Sequence, residues 1–240
     1  MNYILKTKSK PFHFKQFSIE HDRCAMKVGT DGVLLGAWST IFQNDSVLDI
    51  GTGSGLIALM LAQRGGKLID AVEIDLMASE QAKENFLRSP WQEKLNAHCI
   101  SITSFKPSVD EGYDLIVTNP PFFESNELTD ERNIARAQNK LTHSELIHSV
   151  SELLHKNGRF TVVLPFQITG NFIEIAAQKK LLLTRRCEVK GMNALKPSRV
   201  LLQFEFKELP LQKSSLTIET TKRHEYSEEY RELMADYLTI

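Results

Sequence analysis

Short apolar runs alternate with amphipathic stretches along most of the chain from residue 46 onward. Apolar runs of this length are typical of strands that are buried on both faces of a sheet, and they lie at 47–50, 68–74, 95–102, 113–118 and 159–165. Amphipathic stretches that begin near Leu56 and Leu76 separate the first three runs and predict helices. This alternation predicts an α/β fold built on a doubly wound, mainly parallel sheet with helices on both faces.

The residues before this alternation predict a small hairpin and a helix. Phenylalanine and isoleucine alternate with polar residues over 12–19, and a second stretch at 23–28 follows closely, which together predict the hairpin. Thr30 and Asp31 then stand ahead of an apolar set with helical spacing. We expect these two residues to cap that helix.

The closing third of the chain continues the α/β pattern. Thr142 and Glu145 have the spacing of a capping box and open a helix that we expect to end near 157–158. The later elements are a helix near 167–180, strands near 182–189, 199–206 and 216–220, and a final helix capped by Ser227. Since no repeat or linker interrupts the pattern, we expect one domain over 1–240, with a tail and hairpin at 1–30 and the core at 31–240.

Composition places the chain among ordinary globular proteins. Its 240 residues suffice for one large domain, and its hydrophobic and charged fractions of 42% and 25% are close to average values. No secretory leader is recognised, and no apolar run approaches the roughly 20 residues of a membrane span. Three well-separated cysteines without C-x-x-C spacing indicate reduced thiols rather than a metal site. We therefore expect a cytoplasmic protein.

Charge is distributed unevenly along the chain. The formal net charge of -1 argues against a protein that coats nucleic acid by bulk electrostatics. Residues 1–27, however, hold six basic and two acidic residues, a local balance of +4. That balance fits an arm that contacts nucleic acid and fits a solvated terminus equally well.

The segment 47–55, Val-Leu-Asp-Ile-Gly-Thr-Gly-Ser-Gly, is a predicted strand that runs directly into a glycine-rich turn. Its D-x-G-x-G-x-G spacing differs from the G-x-G-x-x-G of sites that bind the pyrophosphate of a dinucleotide. It lets the backbone pass close to a bulky, uncharged thioether group, while Asp49 at the strand end favours a cationic ligand. A glycine-rich turn alone also occurs in purely structural βα connections.

The next predicted strand carries a carboxylate at its end. Glu73 lies 22 residues after Gly51, the spacing at which a carboxylate accepts hydrogen bonds from ribose hydroxyls. Ile74 follows it, and we expect its side chain to pack on an adenine face. The carboxylate strengthens the prediction of a ligand site at the glycine-rich turn.

A second signal follows the strand at 113–118, which runs into Asn119-Pro120-Pro121-Phe122. Two prolines directly after an apolar strand fix a rigid, donor-free turn at the carboxyl edge of the sheet, where open α/β folds bind their ligands. The Asn119 side-chain oxygen and the Pro120 carbonyl can accept both hydrogens of one planar amino group, and Phe122 can stack on its ring. The turn therefore predicts chemistry at an amide or amine nitrogen.

In this order, D-x-G-x-G-x-G and NPPF resemble the motifs of the class I, Rossmann-like S-adenosylmethionine-dependent N-methyltransferases. In that class, NPP(Y/F) marks enzymes that act on adenine N6, on guanine N2 or on the glutamine amide of release factors. The segment 26–38, Met-Lys-Val-Gly-Thr-Asp-Gly-Val-Leu-Leu-Gly-Ala-Trp, is more narrowly similar to the bacterial tRNA1(Val) adenosine-37 N6-methyltransferases. The resemblance covers nearly the whole chain.

The resemblance implies S-adenosylmethionine as the cofactor and a tRNA as the substrate. It places Gly29 and Thr30 at the methionine carboxylate of the cofactor, which agrees with a helix N-terminus as an anion site. The other implied cofactor residues are Asp49 and Gly51 near the amino group, Gly53 and Gly55 in the turn, Glu73 at the ribose and Ile74 at the adenine. The implied catalytic residues are Asn119, Pro120, Pro121 and Phe122.

One position departs from the family's pattern. The family usually has an acidic residue after the third strand, where it binds the adenine amine, but this chain has Ser101 in the segment 99–102. A serine hydroxyl can still accept one hydrogen bond. We therefore take Ser101 as the candidate adenine contact.

Two further charged segments lie near the Asn-Pro-Pro-Phe turn. The polar segment 124–140 carries three basic residues and suits either a lid that orders on RNA or a solvated loop. Lys196 and Arg199 flank Pro197 in a loop that we expect at the same edge of the sheet. These two side chains are candidates for phosphate contacts.

Several alternatives to adenine N6 remain open. Guanine N2 in ribosomal RNA and a protein glutamine are both compatible with Phe122. A noncatalytic RNA-binding protein on a methyltransferase scaffold is a further alternative, because a fold does not prove a function. The sequence indicates no metal, no membrane and no obligate protein partner, and the partner that the resemblance implies is a tRNA.

Overall fold

The structure, a computed structural model, describes residues 10–120, 141–192 and 194–240. Within them the chain forms a small hairpin and an eight-stranded sheet. The hairpin consists of β1 (Phe12–His13) and β2 (Ser18–Ile19). The strands of the sheet are β3 (Ser46–Ile50), β4 (Leu68–Glu73), β5 (Leu95–Cys99), β6 (Tyr113–Thr118), β7 (Leu154–Pro165), β8 (Leu182–Lys190), β9 (Arg199–Glu205) and β10 (Gln212–Thr217). Their spatial order is β10-β8-β9-β7-β6-β3-β4-β5, and among them β9 alone runs antiparallel to its neighbours.

Helices cover both faces of the sheet, as the apolar pattern predicts. They are α1 (Thr30–Trp38), α2 (Leu56–Gln63), α3 (Leu76–Leu87), α4 (His143–Leu153), α5 (Thr169–Gln178) and α6 (Glu228–Met234). Core residues of α1, α2, α3 and α6 belong to one hydrophobic cluster, and those of α4 and α5 belong to a second. None of the described helices is long and apolar enough to cross a membrane.

The burial of β3 shows why its apolar run is continuous. Val47 belongs to the first cluster and its neighbour Leu48 to the second, because successive side chains of a strand point to opposite faces. Both side chains are fully buried. A strand with helices on both sides therefore needs apolar residues at every position rather than at alternate ones.

The hairpin packs against the end of the chain. Phe14 and Phe17 are buried with their rings stacked 4.6 Å apart, and Phe17 also meets Trp91 edge-on at 5.9 Å. The backbone amide of Lys15 donates to the carbonyl of Tyr237 at 2.9 Å. The hairpin and the C-terminal residues thus pack together on the first cluster.

Several boundary predictions differ from the structure, while the capping box at Thr142 and the cap at Ser227 are confirmed. The strand predicted near 216–220 is β10, which lies earlier, at Gln212–Thr217. The hairpin lies wholly inside 12–19, and 23–28 forms no strand; the Arg23 amide there donates to the Gln81 side chain of α3. Gly29, rather than Thr30 or Asp31, is the N-cap of α1, and no side chain caps that helix.

The helix that begins after Thr142 is also shorter than predicted. It ends at Leu153, and β7 begins at the next residue. Gly158 is part of that strand, where a Cβ atom would come within 2.7 Å of the Tyr113 carbonyl oxygen. Gly158 therefore allows β7 to approach β6 closely and does not end a helix.

The connections between strands place a ligand site at β3 and β6. The chain runs from β3 through β4 to β5 on one side and then returns to place β6 on the other side of β3. Ile50 and Thr118 are register partners at the carboxyl ends of these strands, and the Thr118 hydroxyl donates to the Ile50 carbonyl at 2.8 Å. Open α/β sheets bind ligands at such a reversal of strand order.

Candidate active site

The glycine-rich turn after β3 has two glycines that face open space and one that is packed. Gly51, Gly53 and Gly55 all have positive φ angles, of 71°, 56° and 84°. A Cβ atom on Gly55 would overlap the Phe86 ring, whereas one on Gly51 or Gly53 would meet no atom of the described residues within 4 Å. Gly55 therefore packs the turn onto α3, and the other two leave a cleft above the turn.

Asp49 is a fully buried carboxylate below this cleft. Its Oδ2 atom accepts hydrogen bonds from the Thr52 hydroxyl at 2.6 Å and from the Ala58 amide at 3.2 Å. Its Oδ1 atom is buried without a hydrogen-bond partner among the described residues. Burial raises the pKa of Asp49 to about 7, against the hydrogen bonds from Thr52 and Ala58, and the charge of Glu73 raises it further. A nearby cationic group would stabilise the ionised form.

Glu73 ends β4 and ties the glycine-rich turn in place. Its two carboxylate oxygens accept hydrogen bonds from the backbone amides of Gly53 and Asp75, both at 3.0 Å. Each oxygen keeps a second lone pair, so that the side chain can still accept from a diol. Ile74 beside it is 64% exposed, an unusual exposure for an isoleucine in a βα turn. The carboxylate can accept hydrogen bonds from the ribose of a nucleoside, and the exposed apolar side chain beside it can pack on the flat base.

Ser101 is brought to the same edge by the pairing of β4 with β5. The Ile100 amide donates to the Glu73 carbonyl at 3.0 Å, which places the next residue beside the ribose candidate. The Ser101 hydroxyl shares a hydrogen bond of 2.9 Å with the Thr103 hydroxyl. Either hydroxyl can be the donor, so that an acceptor or a donor remains for a ligand.

The first turn of α1 closes the site from the other side. Gly29 is the N-cap, Thr30 is the first helical residue, and the helix has no side-chain cap. The first amides of a helix lack partners within the helix and attract negative groups. A Cβ atom on Gly32 would lie 3.1 Å from Leu56 Cδ2 and 3.7 Å from Asn119 Nδ2. The helix start therefore packs directly on α2 and on Asn119.

Asn119 follows the last residue of β6 and is partly buried. Its side-chain oxygen is buried without a hydrogen-bond partner among the described residues. Pro120 is also partly buried. Pro121, Phe122 and the segment 124–140 lie outside the described residues. Asn119 thus presents an unused acceptor at the edge where the glycine-rich turn lies.

The structure brings the described candidates together around one cleft. The carboxyl ends of the adjoining strands β3, β4, β5 and β6 carry the glycine-rich turn with Asp49, the pair Glu73 and Ile74, Ser101, and the pair Asn119 and Pro120. The first turn of α1, which begins at Gly29 and Thr30, lies beside Asn119. Their roles toward a cofactor or substrate remain predictions. Among the described residues, no three His, Cys, Asp or Glu side chains are placed to hold a metal ion.

Sequence reasoning missed a clamp on α3 that holds residues 20–24 against the glycine-rich turn. The Asn85 amide group donates to the carbonyls of Glu20 and Ser54, both at 2.8 Å, and its oxygen accepts from the Glu20 amide at 3.0 Å. One turn earlier, the Gln81 oxygen accepts from the Arg23 amide at 2.9 Å. The sequence signal that could have indicated this clamp is the pair of carboxamide side chains, Gln81 and Asn85, at positions i and i+4 of a predicted helix.

Cys24 belongs to the same clamped segment. Its thiol lies 3.3 Å from the Gln81 oxygen, and it is partly buried. Burial raises the pKa of Cys24 to about 12, and the charges of Glu73 and Asp75 raise it further. The thiol is therefore protonated at neutral pH and is a poor nucleophile.

The strand order, the glycine-rich turn after β3 and the Asn-Pro turn after β6 define a Rossmann-like, S-adenosylmethionine-dependent methyltransferase. The family model of the methyltransferase small domain matches residues 28–175. A tRNA1(Val) (adenine(37)-N6)-methyltransferase of Trichodesmium erythraeum is 45% identical over 231 residues, which cover 94% of this chain and 96% of that protein. The chain belongs to the family of tRNA1(Val) (adenine(37)-N6)-methyltransferases.

Solved structures agree on the fold. A protein of Agrobacterium tumefaciens described as a predicted O-methyltransferase superposes with a TM-score of 0.67 at 15% identity, covering 86% of this chain and 96% of that one. The 16S rRNA N2 G1207 methyltransferase of T. thermophilus, in complex with AdoMet and guanosine, gives a TM-score of 0.59 at 20% identity, covering 82% of this chain and 50% of that one. At these identities the likeness concerns the fold alone.

Proposed function

We propose that this protein transfers a methyl group from S-adenosylmethionine to the exocyclic N6 of adenosine 37 in a valine tRNA. The observation that carries the proposal is the buried Asn119 side-chain oxygen, which has no partner among the described residues and lies at the edge that holds the cofactor candidates. The named substrate of the relatives that match this chain over nearly its whole length supports the choice of tRNA.

The residues around the cleft fit the chemical parts of the cofactor. The unpartnered Asp49 oxygen suits a cationic amino group, and the uncapped amides at Gly29 and Thr30 suit a carboxylate. The open space over Gly51 and Gly53 admits the thioether region. Glu73 then accepts from the ribose, and Ile74 and Ser101 contact the adenine. When bound, the cofactor supplies a methyl group that is already activated on a sulfonium.

Asn119 and Pro120 have the task of orienting the target nitrogen. An adenine amine is a poor nucleophile because its lone pair is delocalised into the ring. Accepting both of its hydrogens, at the Asn119 oxygen and the Pro120 carbonyl, favours a more pyramidal nitrogen whose lone pair is free to react. Correct placement of two reactants can lower a barrier by about 7 to 11 kcal/mol in favourable cases. No strong base is needed, since the proton leaves after the nitrogen has become cationic.

The target base must leave its stack to reach Asn119. Turning a base out of a loop costs a few kcal/mol, less than in a duplex. Phe122, three residues after Asn119, supplies the ring on which the base stacks in this proposal. We further propose that 1–240 acts as one cytoplasmic catalytic domain, with tRNA as its macromolecular partner.

The proposal is tested by methylation of defined transcripts with radiolabelled S-adenosylmethionine. We expect label on an unmodified valine tRNA with adenosine at position 37, recovered as N6-methyladenosine after digestion, and none on the matched transcript with guanosine at 37. Ribosomal RNA and release factor are assayed in parallel. Label on the guanosine-37 transcript, on ribosomal guanine N2 or on a protein glutamine would overturn the proposal.

A further inference from the structure

Two loops from the last third of the chain open at the same edge of the sheet as Asn119. Because β9 is antiparallel, its first residue Arg199 lies opposite Pro165, at the carboxyl end of β7. Strand β10 is parallel to β8, and its last residue Thr217 lies opposite Lys190. The described parts of 190–199 and all of 218–227 therefore flank this edge. Both follow residue 175, where the match to the methyltransferase small domain ends.

Apart from Arg199, the described residues of these loops carry four Lys and Arg side chains. Lys196, Lys222 and Arg223 are exposed, and Lys190 is partly exposed. In the part of the chain that the structure describes, none of the four forms an ion pair with a carboxylate, whereas the Arg199 side chain pairs with Asp31 at 2.8 Å. We call Lys190, Lys196, Lys222 and Arg223 the basic rim.

Two carboxylates within 218–227, those of Glu219 and Glu225, form hydrogen bonds inside that loop, and the exposed Glu228 and Glu229 follow it at the start of α6. The carboxylate of Glu219 accepts the His224 amide at 2.8 Å, and that of Glu225 accepts the Thr221 hydroxyl at 2.9 Å. The turn is closed by the Thr220 amide, which donates to the Glu225 carbonyl at 2.8 Å. Lys222 and Arg223 thus stand at the tip of a hydrogen-bonded turn.

The geometry points to a phosphate-binding surface: we propose that the basic rim binds the RNA backbone next to the nucleotide held at Asn119. This inference rests on the proposed function and adds the surface that the tRNA uses. From β6 to β10 the edge spans four strand spacings, about 19 Å. That distance is longer than one nucleotide, so that the rim can contact phosphates that flank the target nucleotide. The exposed Leu195 side chain beside Lys196 adds an apolar contact for a sugar or base.

Charge reversal at the tip tests this surface against a matched control at the opposite edge. The test variant is Lys222→Glu with Arg223→Glu. The control is Lys67→Glu with Lys156→Glu, because both lysines are exposed at the amino ends of β4 and β7 and the change in net charge is the same. A third variant, Lys222→Ala with Arg223→Ala, removes the cations without adding repulsion.

We expect the test variant to raise the KM for tRNA at least tenfold at moderate salt, and the alanine variant to raise it severalfold. The slope of log Kd for tRNA against log salt should become shallower by about 1 to 2, as expected for the loss of two phosphate contacts. The affinity for S-adenosylmethionine and the midpoint of thermal unfolding should stay as in the wild type. The control should match the wild type in every respect.

Two results would overturn the basic rim. One is a test variant whose tRNA affinity and salt slope equal those of the wild type. The other is an equal loss in the control, which would assign the effect to net charge. Failure of the proposed function is distinguishable from both, because it would appear in the wild type as an absence of label on tRNA.

Discussion

Two buried acceptors at the active edge lack hydrogen-bond partners among the described residues, namely Asp49 Oδ1 and Asn119 Oδ1. Leaving such a group unsatisfied costs about 1 to 3 kcal/mol. Elsewhere the fold satisfies its buried carboxylate: Asp70 accepts from His98 at 2.8 Å and from Tyr113 at 2.6 Å. Although burial alone would raise the pKa of Asp70, these hydrogen bonds outweigh it and lower the pKa. Among the described residues Gln63 Oε1, outside the site, is also an unpartnered buried acceptor, and we predict that a ligand satisfies the two acceptors at the active edge.

Asn119→Ala tests the acceptor on which the reaction class rests. The substitution removes one of the two groups that hold the target amine, and the lost hydrogen bond strengthens as the nitrogen becomes cationic. We expect kcat to fall by about 100-fold or more, with cofactor affinity almost unchanged. Single-turnover methylation of tRNA and calorimetry with S-adenosylhomocysteine measure the two quantities. Wild-type turnover with normal cofactor binding would rule out the mechanism.

From the raised pKa of Asp49 we predict that cofactor binding releases a proton from this side chain. With the pKa of Asp49 raised to about 7, ionising this buried group destabilises the fold, so that its contribution is most favourable at low pH and declines as pH rises from about 4 to about 7. A cationic amino group beside the carboxylate reverses that penalty. Binding near pH 6 should therefore release close to one proton, and affinity should rise as pH approaches 7.

Calorimetry with S-adenosylhomocysteine in buffers of different ionisation enthalpy counts this proton. Asp49→Asn should abolish the release and weaken binding at pH 7.5. Glu73, the charged neighbour that also acts on Asp49, stays intact in this variant. An unchanged proton count in Asp49→Asn would remove Asp49 from the cofactor site.

At the scale of elements, α3 acts as a clamp between the N-terminal segment and the glycine-rich turn. Asn85 binds both partners, through Glu20 and Ser54, whereas Gln81 binds only the N-terminal segment, through Asp22, Arg23 and Cys24. Both side chains are almost fully buried. Substitutions of the two residues can therefore be compared: a change at Gln81 loosens only the segment 20–24, whereas a change at Asn85 also loosens the glycine-rich turn.

Asn85→Leu should loosen the turn and weaken S-adenosylmethionine binding about tenfold, which corresponds to about 1.4 kcal/mol. Gln81→Leu should cost similar unfolding free energy with less than a threefold effect on the cofactor. At saturating cofactor, kcat should be nearly normal in both, because neither side chain reaches the target base. Equal changes in cofactor affinity would show that Asn85 acts only through general stability.

At the scale of the whole molecule, a buried ion pair stabilises the edge of the sheet opposite the active site. Arg159 donates to Asp45 at 2.7 Å and to the Asp114 carbonyl at 3.1 Å, and its guanidinium lies 4.4 Å from the centre of the Phe42 ring. Asp45 directly precedes β3, and Arg159 belongs to the first half of β7. The pair therefore links two strands that are separated by β6.

Asp45→Ala should lower the free energy of unfolding by about 3 to 5 kcal/mol, because it leaves the arginine charge buried without its partner. Asp45→Leu combined with Arg159→Met should recover most of that loss. Denaturant titration measures both. Because the pair lies at the amino edge, cofactor affinity of the folded variants should equal that of the wild type; a parallel loss of affinity would contradict this separation.

The sequence by itself determined the succession of elements and the chemistry at the ends of β3 and β6. Strands buried on both faces need continuous apolar runs, and glycine accepts the positive φ angles of the turn at 51–55 without steric cost, so that local sequence suffices to predict both. The expectation that the loop before β9 lies at the active edge was also confirmed, since the strand there pairs antiparallel with β7.

Only the tertiary structure decided how these pieces are held and which acceptors stay unused. The Asn85 clamp joins residues 65 positions apart, and the Gln81 oxygen on the same helix accepts the Arg23 amide in the segment 23–28, where a strand was expected. Gly29 caps α1 without a side chain, while Asp31 turns instead to Arg199, 168 residues away. Side-chain hydrogen bonds of this range depend on which surfaces meet after folding, and no local pattern encodes them. For the same reason, the sequence alone could not show that the cations of the basic rim lie at one edge of the sheet, because their common location depends on the order and direction of the strands.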